Sequence, residues 1–171
     1  DVVCCKTKIA GRTCYVIKAS GPEPSLGRID EAISKLVKRR KIAKIITIDA
    51  STKLEGEKSG DVARGVGFAM GGYMRELIEN LVLPRKIELD AIVVKVGVDE
   101  AITPMKSEIA SALSKARKLV LKSVKETKQK GAIIIAGIGN SCGIANNARD
   151  VERVLKLVKR MERKKRRKSA F

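Results

Sequence analysis

At 171 residues, with 44% hydrophobic and only 2% aromatic residues, the chain has the length and composition of one globular domain with a core of Ile, Val, Leu, Ala and Met. That composition argues against a disordered polymer and an aromatic-rich barrel, and no apolar run approaches the roughly 18–20 residues that a membrane-spanning helix needs. Thirty-seven basic against 19 acidic residues give a formal net charge of +18, which directs attention to anionic partners.

The first residue is Asp1, so the sequence reads as a fragment or processed form, with any targeting segment or membrane anchor expected upstream. There is no histidine and one glutamine, Gln129, while Lys, Arg and Glu are abundant, a balance of thermophile type. Cysteines 4, 5, 14 and 142 show no CxxC spacing. They read as reduced thiols of a cytoplasmic protein, with Cys4 and Cys5 on opposite faces of one strand.

In chain order, segments 2–9 and 13–19 are β-rich and flank Ala10-Gly11-Arg12, which predicts a hairpin. A Pro- and Gly-containing loop follows, in which Ser25 is expected to cap a helix bearing Ile29, Ala32, Ile33, Leu36 and Val37. Segment 45–50 reads as a central parallel strand with Asp49 at its carboxyl end. Segment 62–69 is expected to hold a short strand and 74–83 a helix stopped by Pro84. The run 91–98 is a second buried strand leading into Asp99 and Glu100. Thr103-Pro104 predicts the start of a long helix reaching Gly131, since a capping Thr precedes Pro at the first helical position. A last central strand covers 132–138, and a final helix carries Val151, Val154, Leu155 and Val158 on one face. This order predicts a three-layer α/β fold, with a largely parallel sheet and helices on both faces. The expected division is an α/β domain over 1–155 and a basic helix end and tail over 156–171.

In such folds ligands bind beyond the carboxyl ends of the strands, which directs attention to the loops after Asp49, at Asp99-Glu100 and after Gly137. Residues 45–72 hold six of the fourteen glycines, and Asp49, Glu55, Glu57 and Asp61 face only two lysines between positions 49 and 61. Asp49, Asp99 and Glu100 are the expected acid/base groups, since carboxylates can share a proton or hold a hard divalent cation without imidazole. Gly65, Gly67, Gly139, Asn140 and Asn146 are the expected ligand-binding positions. Three of the four asparagines, Asn140, Asn146 and Asn147, share one loop, and an amide can orient a peptide-like or sugar-like group beside acids without repelling them. Helix capping competes for Asn146 and Asn147, whereas Asn140 lies too early to cap. The ordinary alternative for the carboxylates is capping or pairing with lysines. The GxG of GIGNSCG (137–143), between a strand and a helix, offers backbone N–H groups to an anion but does not fit GxGxxG, and GEKSG does not make a phosphate-binding P-loop.

IITIDAS, the glycine-rich EKSGDVARGVG and the strand-loop IIIAGIGN resemble the superfamily of hydrogenase-maturation endopeptidases and spore germination proteases. The chain as a whole resembles an uncharacterised archaeal family known as a domain of unknown function. The first resemblance implies a phosphorylase/hydrolase-like fold, peptidase-like hydrolysis, and a role for Asp49 in metal binding or catalysis. It also places the endopeptidases' second acid at Asn146, an amide.

Between positions 156 and 168 nine basic residues meet one acid, Glu162. Lys159, Arg160, Arg163, Lys164 and Arg167 are therefore expected to bind nucleic acid, an acidic partner or an anionic membrane surface, against the plain alternative of a solvated helix end without aromatics to stack on bases. Two functions follow: a hydrolase with a carboxylate-lined pocket for a small or peptide ligand, or a non-catalytic module engaging nucleic acid or another polyanion. A homo-oligomer is compatible with either.

Overall fold

The computed structural model describes residues 1–168. Its six strands are β1 (Val2–Ile9), β2 (Arg12–Ala19), β3 (Ile42–Thr52), β4 (Val62–Val66), β5 (Glu88–Val96) and β6 (Ala132–Gly137). They form one sheet in the order β1-β2-β6-β3-β5-β4. The four central strands are mutually parallel, and both edge strands run antiparallel to their neighbours. The strands bearing Asp49, preceding Asp99 and ending at Gly137 are therefore parallel neighbours, as the alternation of strands and helices predicts.

The β1–β2 hairpin is tighter than the sequence indicates. Ala10 and Gly11 both take positive φ, 48° and 77°, giving the two-residue turn whose twist suits paired strands and placing Arg12 in β2 opposite Ile9. Cys4 and Cys5 are exposed on this edge strand, Cys14 is buried, and all four cysteines are free thiols.

Helices cover both faces. On one, α1 (Ile29–Arg39) and α2 (Gly72–Val82) bury Ile29, Ile33, Ile78 and Val82 against Ile17, Ile45 and Ile134. On the other, the twenty-residue α4 (Ser107–Glu126) buries Ile109, Ala112, Ala116 and Val124 against Ile46, Ile92, Ile133 and Ile135. The alternation of Ile45 and Ile46 between two separate cores is the period-two geometry of a strand covered on both sides. A short helix, α3 (Val98–Ile102), precedes α4, and α5 (Ala148–Lys168) lies against α4. The expected boundary at 155/156 falls inside α5, which is one continuous helix; residues 169–171 of the tail lie outside the described residues.

Two helix starts differ from expectation. Ser25 does not cap α1, whose N-cap is Arg28; its hydroxyl donates to the Ser20 carbonyl and its backbone pairs with Asn140. Thr103 closes α3 instead of opening α4, its hydroxyl donating to the Asp99 carbonyl at 2.9 Å. The long helix begins at Ser107 after Lys106, whose ammonium reaches back to Glu100 at 2.9 Å.

At the amino-terminal end of the parallel strands a buried ionic network joins β3, β4, β5 and α4. Arg64 donates two hydrogen bonds to Asp90, at 3.0 and 2.6 Å, and one to Glu126 at 2.7 Å. Ser123 also donates to Asp90, and Lys44 lies 3.6 Å from Asp90 and 2.9 Å from Glu88. Burial alone would raise the Asp90 carboxyl. The bonds from Ser123 and Arg64 and the Lys44 charge outweigh it and hold its pKa below the ordinary value.

Candidate functional site

The parallel strands all end on one side of the sheet. The chain leaves β2 for α1 on one face but leaves β5 and β6 for α4 and α5 on the other, so the loops part and a crevice opens. A cavity of about 490 Å³ occupies it. Its floor is Ile48, Asp49 and Ala50 of β3 with Val94 and Val96 of β5, one wall is Ile109 and Leu113 of α4, and the opposite rim is Ser25-Leu26 with Ile138 to Ser141. The lining is mainly aliphatic. Asp49 and Glu100 are its only charged residues, and no lysine or arginine lines it.

The two carboxylates have opposite characters. Asp49 is half-buried and accepts one hydrogen bond, from the Ala50 N–H at 2.7 Å. Burial raises its pKa to about 6, only partly countered by that bond, and no ion pair holds it among the described residues. It sits three residues before the end of β3, not at the end, because the strand continues to Thr52. Glu100 accepts from Ser59 at 2.6 Å, from the Gly97 N–H at 2.7 Å and from Lys106 at 2.9 Å. These donors, Ser59 foremost, depress its pKa to about 2. Glu100 is thus a permanently charged tie between the 53–61 loop and the α3–α4 junction, whereas Asp49 can exchange a proton near neutral pH.

Of the other predicted positions, Gly139 and Asn140 line the cavity and Asp99 does not. The Asp99 side chain is 76% exposed and lies 3.6 Å from Lys106. Gly65 and Gly67 lie away from the cavity. Gly65 pairs with Ala91, and the Gly67 N–H donates to the Leu89 carbonyl, so both belong to the opposite end of β5 from the cavity. Among the acids of 49–61 only Asp49 reaches the cavity; Glu57 is tied to Lys95 and the Leu54 N–H. Asn147 is the cap of α5, accepting from the Asp150 N–H at 3.0 Å.

The amides of Asn140 and Asn146, expected to orient a ligand, are engaged with other parts of the chain. Asn140 Nδ2 donates to the carbonyls of Glu23, Ser141 and Ile144 at 3.0–3.1 Å, and its Oδ1 accepts from Lys18 at 2.9 Å. Asn146 accepts from the Gly21 N–H and from Lys18, and donates to Ser20 and the Gly21 carbonyl. The asparagine-rich loop is therefore a clamp that holds residues 20–25 and so shapes one rim of the cavity. Lys18, whose pKa is lowered by burial, is its centre, meeting three neutral oxygens and no carboxylate. The sequence carries a signal for it: Lys18 is the third member of the inward-facing set Cys14, Val16, Lys18 at the carboxyl end of a parallel strand.

Gly21 lies inside the clamp, where an added Cβ would fall 1.9 Å from the Ile144 carbonyl oxygen and 2.6 Å from Asn140 Nδ2. Gly21→Ala is expected to cost about 1–3 kcal/mol by overpacking. Asn140→Ala is expected to cost about 2–3 kcal/mol, more than a surface amide would, because several partners lose a bond together. Urea unfolding checks both, and a loss under about 0.5 kcal/mol for either would be that of an ordinary surface site and would remove the clamp.

Residues 1–145 match the family described as "Domain of unknown function (DUF1512) C-terminal". The chain belongs to that family. The DUF1512 match spans all six strands and every cavity-lining residue, while α5 lies beyond it. No curated protein and no solved structure matches the chain.

The endopeptidase resemblance implies a divalent cation at Asp49. Among the described residues no group of three or more His, Cys, Asp or Glu side chains could hold an ion. No helix of the described residues is long and apolar enough to cross a membrane.

Proposed function

We propose that the cavity binds a small, mainly aliphatic molecule through one neutral polar or basic group placed against Asp49, and that Asp49 exchanges a proton with that group. The observation that carries this reading is an aliphatic cavity without cationic residues, lined by Asp49, whose half-buried, unpaired carboxyl has its pKa raised to about 6. Despite the chain's net charge of +18, the pocket's own charges are negative and disfavour phosphorylated or carboxylate ligands. The chemistry open to Asp49 is proton transfer, including activation of a water against an ester or amide, which is the form that the peptidase resemblance favours. Glu100, saturated by its donors, positions the rim and does not exchange the proton. A fragment screen by ligand-observed NMR tests this. Neutral and amine fragments should dominate, and Asp49→Asn should weaken amine binding by about tenfold or more, roughly 1.4 kcal/mol. Hits that are mainly phosphorylated, or that ignore the substitution, would sink the reading.

A second reading, binding of a polyanion by α5, is favoured by one observation. Arg149, Arg153, Lys156, Arg160 and Arg163 recur at helical spacing and are exposed, as are Lys159 and Lys164. Arg167 belongs to the same helix, but its side chain is outside the description. Deleting residues 163–171 should weaken binding to duplex DNA and flatten its salt dependence by roughly 0.9 in log-log slope for each lost phosphate contact. An unchanged slope would reject the participation of this stretch.

A further inference from the structure

The apolar side of α5 is not fully used by the fold. Val151, Val154, Leu155 and Val158 are half-buried, and none of them joins either hydrophobic core. Leu157 and Met161, at the border of that side, are 48% and 62% exposed. At 3.6 residues per turn, Arg153, Met161 and Lys164 all lie within about 40° of Leu157 around the helix axis. The solvent-facing stripe of α5 thus interleaves exposed aliphatic side chains with exposed cations, and the helix sequence 148–168 has eleven basic and three acidic residues.

This pattern discriminates among anionic partners. A nucleic-acid backbone rewards the cations but offers nothing to Leu157 and Met161, and α5 has no aromatic side chain to stack on an unpaired base. The interface of an anionic bilayer rewards both, because aliphatic side chains enter the acyl boundary while flanking Lys and Arg stay among the headgroups. We infer that α5 is a membrane-surface helix, with Leu157 and Met161 entering the interface of an anionic bilayer and Arg153, Arg160 and Lys164 meeting its lipid headgroups. The inference rests on the polyanion reading of α5 and narrows it to one partner. It does not depend on the cavity.

The test is co-sedimentation of the 171-residue chain with vesicles of phosphatidylcholine alone or mixed with phosphatidylserine, alongside a DNA duplex titration. Binding should require phosphatidylserine. The double substitution Leu157→Ser with Met161→Ser, at exposed positions that leave folding intact, should weaken vesicle binding by about tenfold while leaving duplex binding unchanged. Arg153→Gln with Arg160→Gln should weaken both. Duplex binding without binding to phosphatidylserine vesicles would overturn the membrane assignment and leave the polyanion reading standing. Binding to neither would remove both, and vesicle binding that is indifferent to the Leu157/Met161 substitutions would overturn insertion.

Discussion

Asp90→Ala is expected to destabilise the domain by about 3 kcal/mol or more, in the range found when one partner of a buried ion pair is removed. Asp90 is 6% exposed and receives Arg64 through two guanidinium nitrogens, Ser123 through its hydroxyl and Lys44 by charge. Its loss leaves Lys44, itself 4% exposed, with the outer carboxylate of Glu88 as its remaining close ion pair, and leaves Arg64 with Glu126. The expected effect lies at the lower end of the range because each cation keeps one partner. For a chain of this size it corresponds to a fall of about 6–12 °C in Tm. A double-mutant cycle with Arg64→Ala should return a coupling of at least about 1 kcal/mol, and a value indistinguishable from zero would reduce the network to crowded surface charges.

Asp49→Asn is expected to do the opposite and stabilise the protein at neutral pH. The folded carboxyl titrates at about 6 against an ordinary 3.8, so between those values the folded state holds a proton that the unfolded state has released. Stability therefore falls as pH rises from about 4 to about 6 and levels off above, by at most about 3 kcal/mol from this group. Asparagine keeps the Oδ1 acceptor for the Ala50 N–H and cannot ionise, so the difference between variant and parent should grow across that window. Glu100 works in a separate window: depressed to about 2, it contributes stability above its ordinary 4.5 that is lost as pH falls towards 2. Parallel urea titrations of parent and variant from about pH 4 to about pH 8 separate the two. Curves that stay parallel would show that Asp49 is not buried at the cost claimed. A gain in stability joined to a loss of amine binding would mark Asp49 as a residue kept for function.

The architecture was legible because its signals are periodic. Apolar strands at 42–52, 88–96 and 132–137 alternate with amphipathic helices, and only one family of layered folds accommodates that alternation. Local capping signals proved weaker than tertiary contacts. Thr103-Pro104 has the residues of a helix start, yet Lys106 is committed to Glu100 and Thr103 to Asp99, so the chain bends at 103–104 and becomes helical again only at Ser107. The cavity was legible through Asp49, Glu100, Gly139 and Asn140, which the strand ends bring together. What the amides do there was not, since the acceptors that saturate Asn140 are backbone carbonyls of Glu23, Ser141 and Ile144, which no side-chain pattern encodes. Gly65 and Gly67 lie outside this cavity for a related reason: glycine marks permissive backbone in or beside an edge strand as readily as it marks a ligand cradle.

The strand order constrains how the protein can be made. β6 is the last of the six described strands to leave the ribosome, yet it occupies the middle of the sheet between β2 and β3. Until residues 132–137 emerge, the β1–β2 hairpin has no partner and β3 presents an open apolar edge, so the nascent chain carries two incomplete half-sheets through most of its synthesis. Pairings this distant in sequence are slow to form and leave unpaired edges exposed to other chains. A chaperone that shields the edge of β3 would act before residue 132 is translated, and a chain truncated there would aggregate instead of folding to a smaller domain.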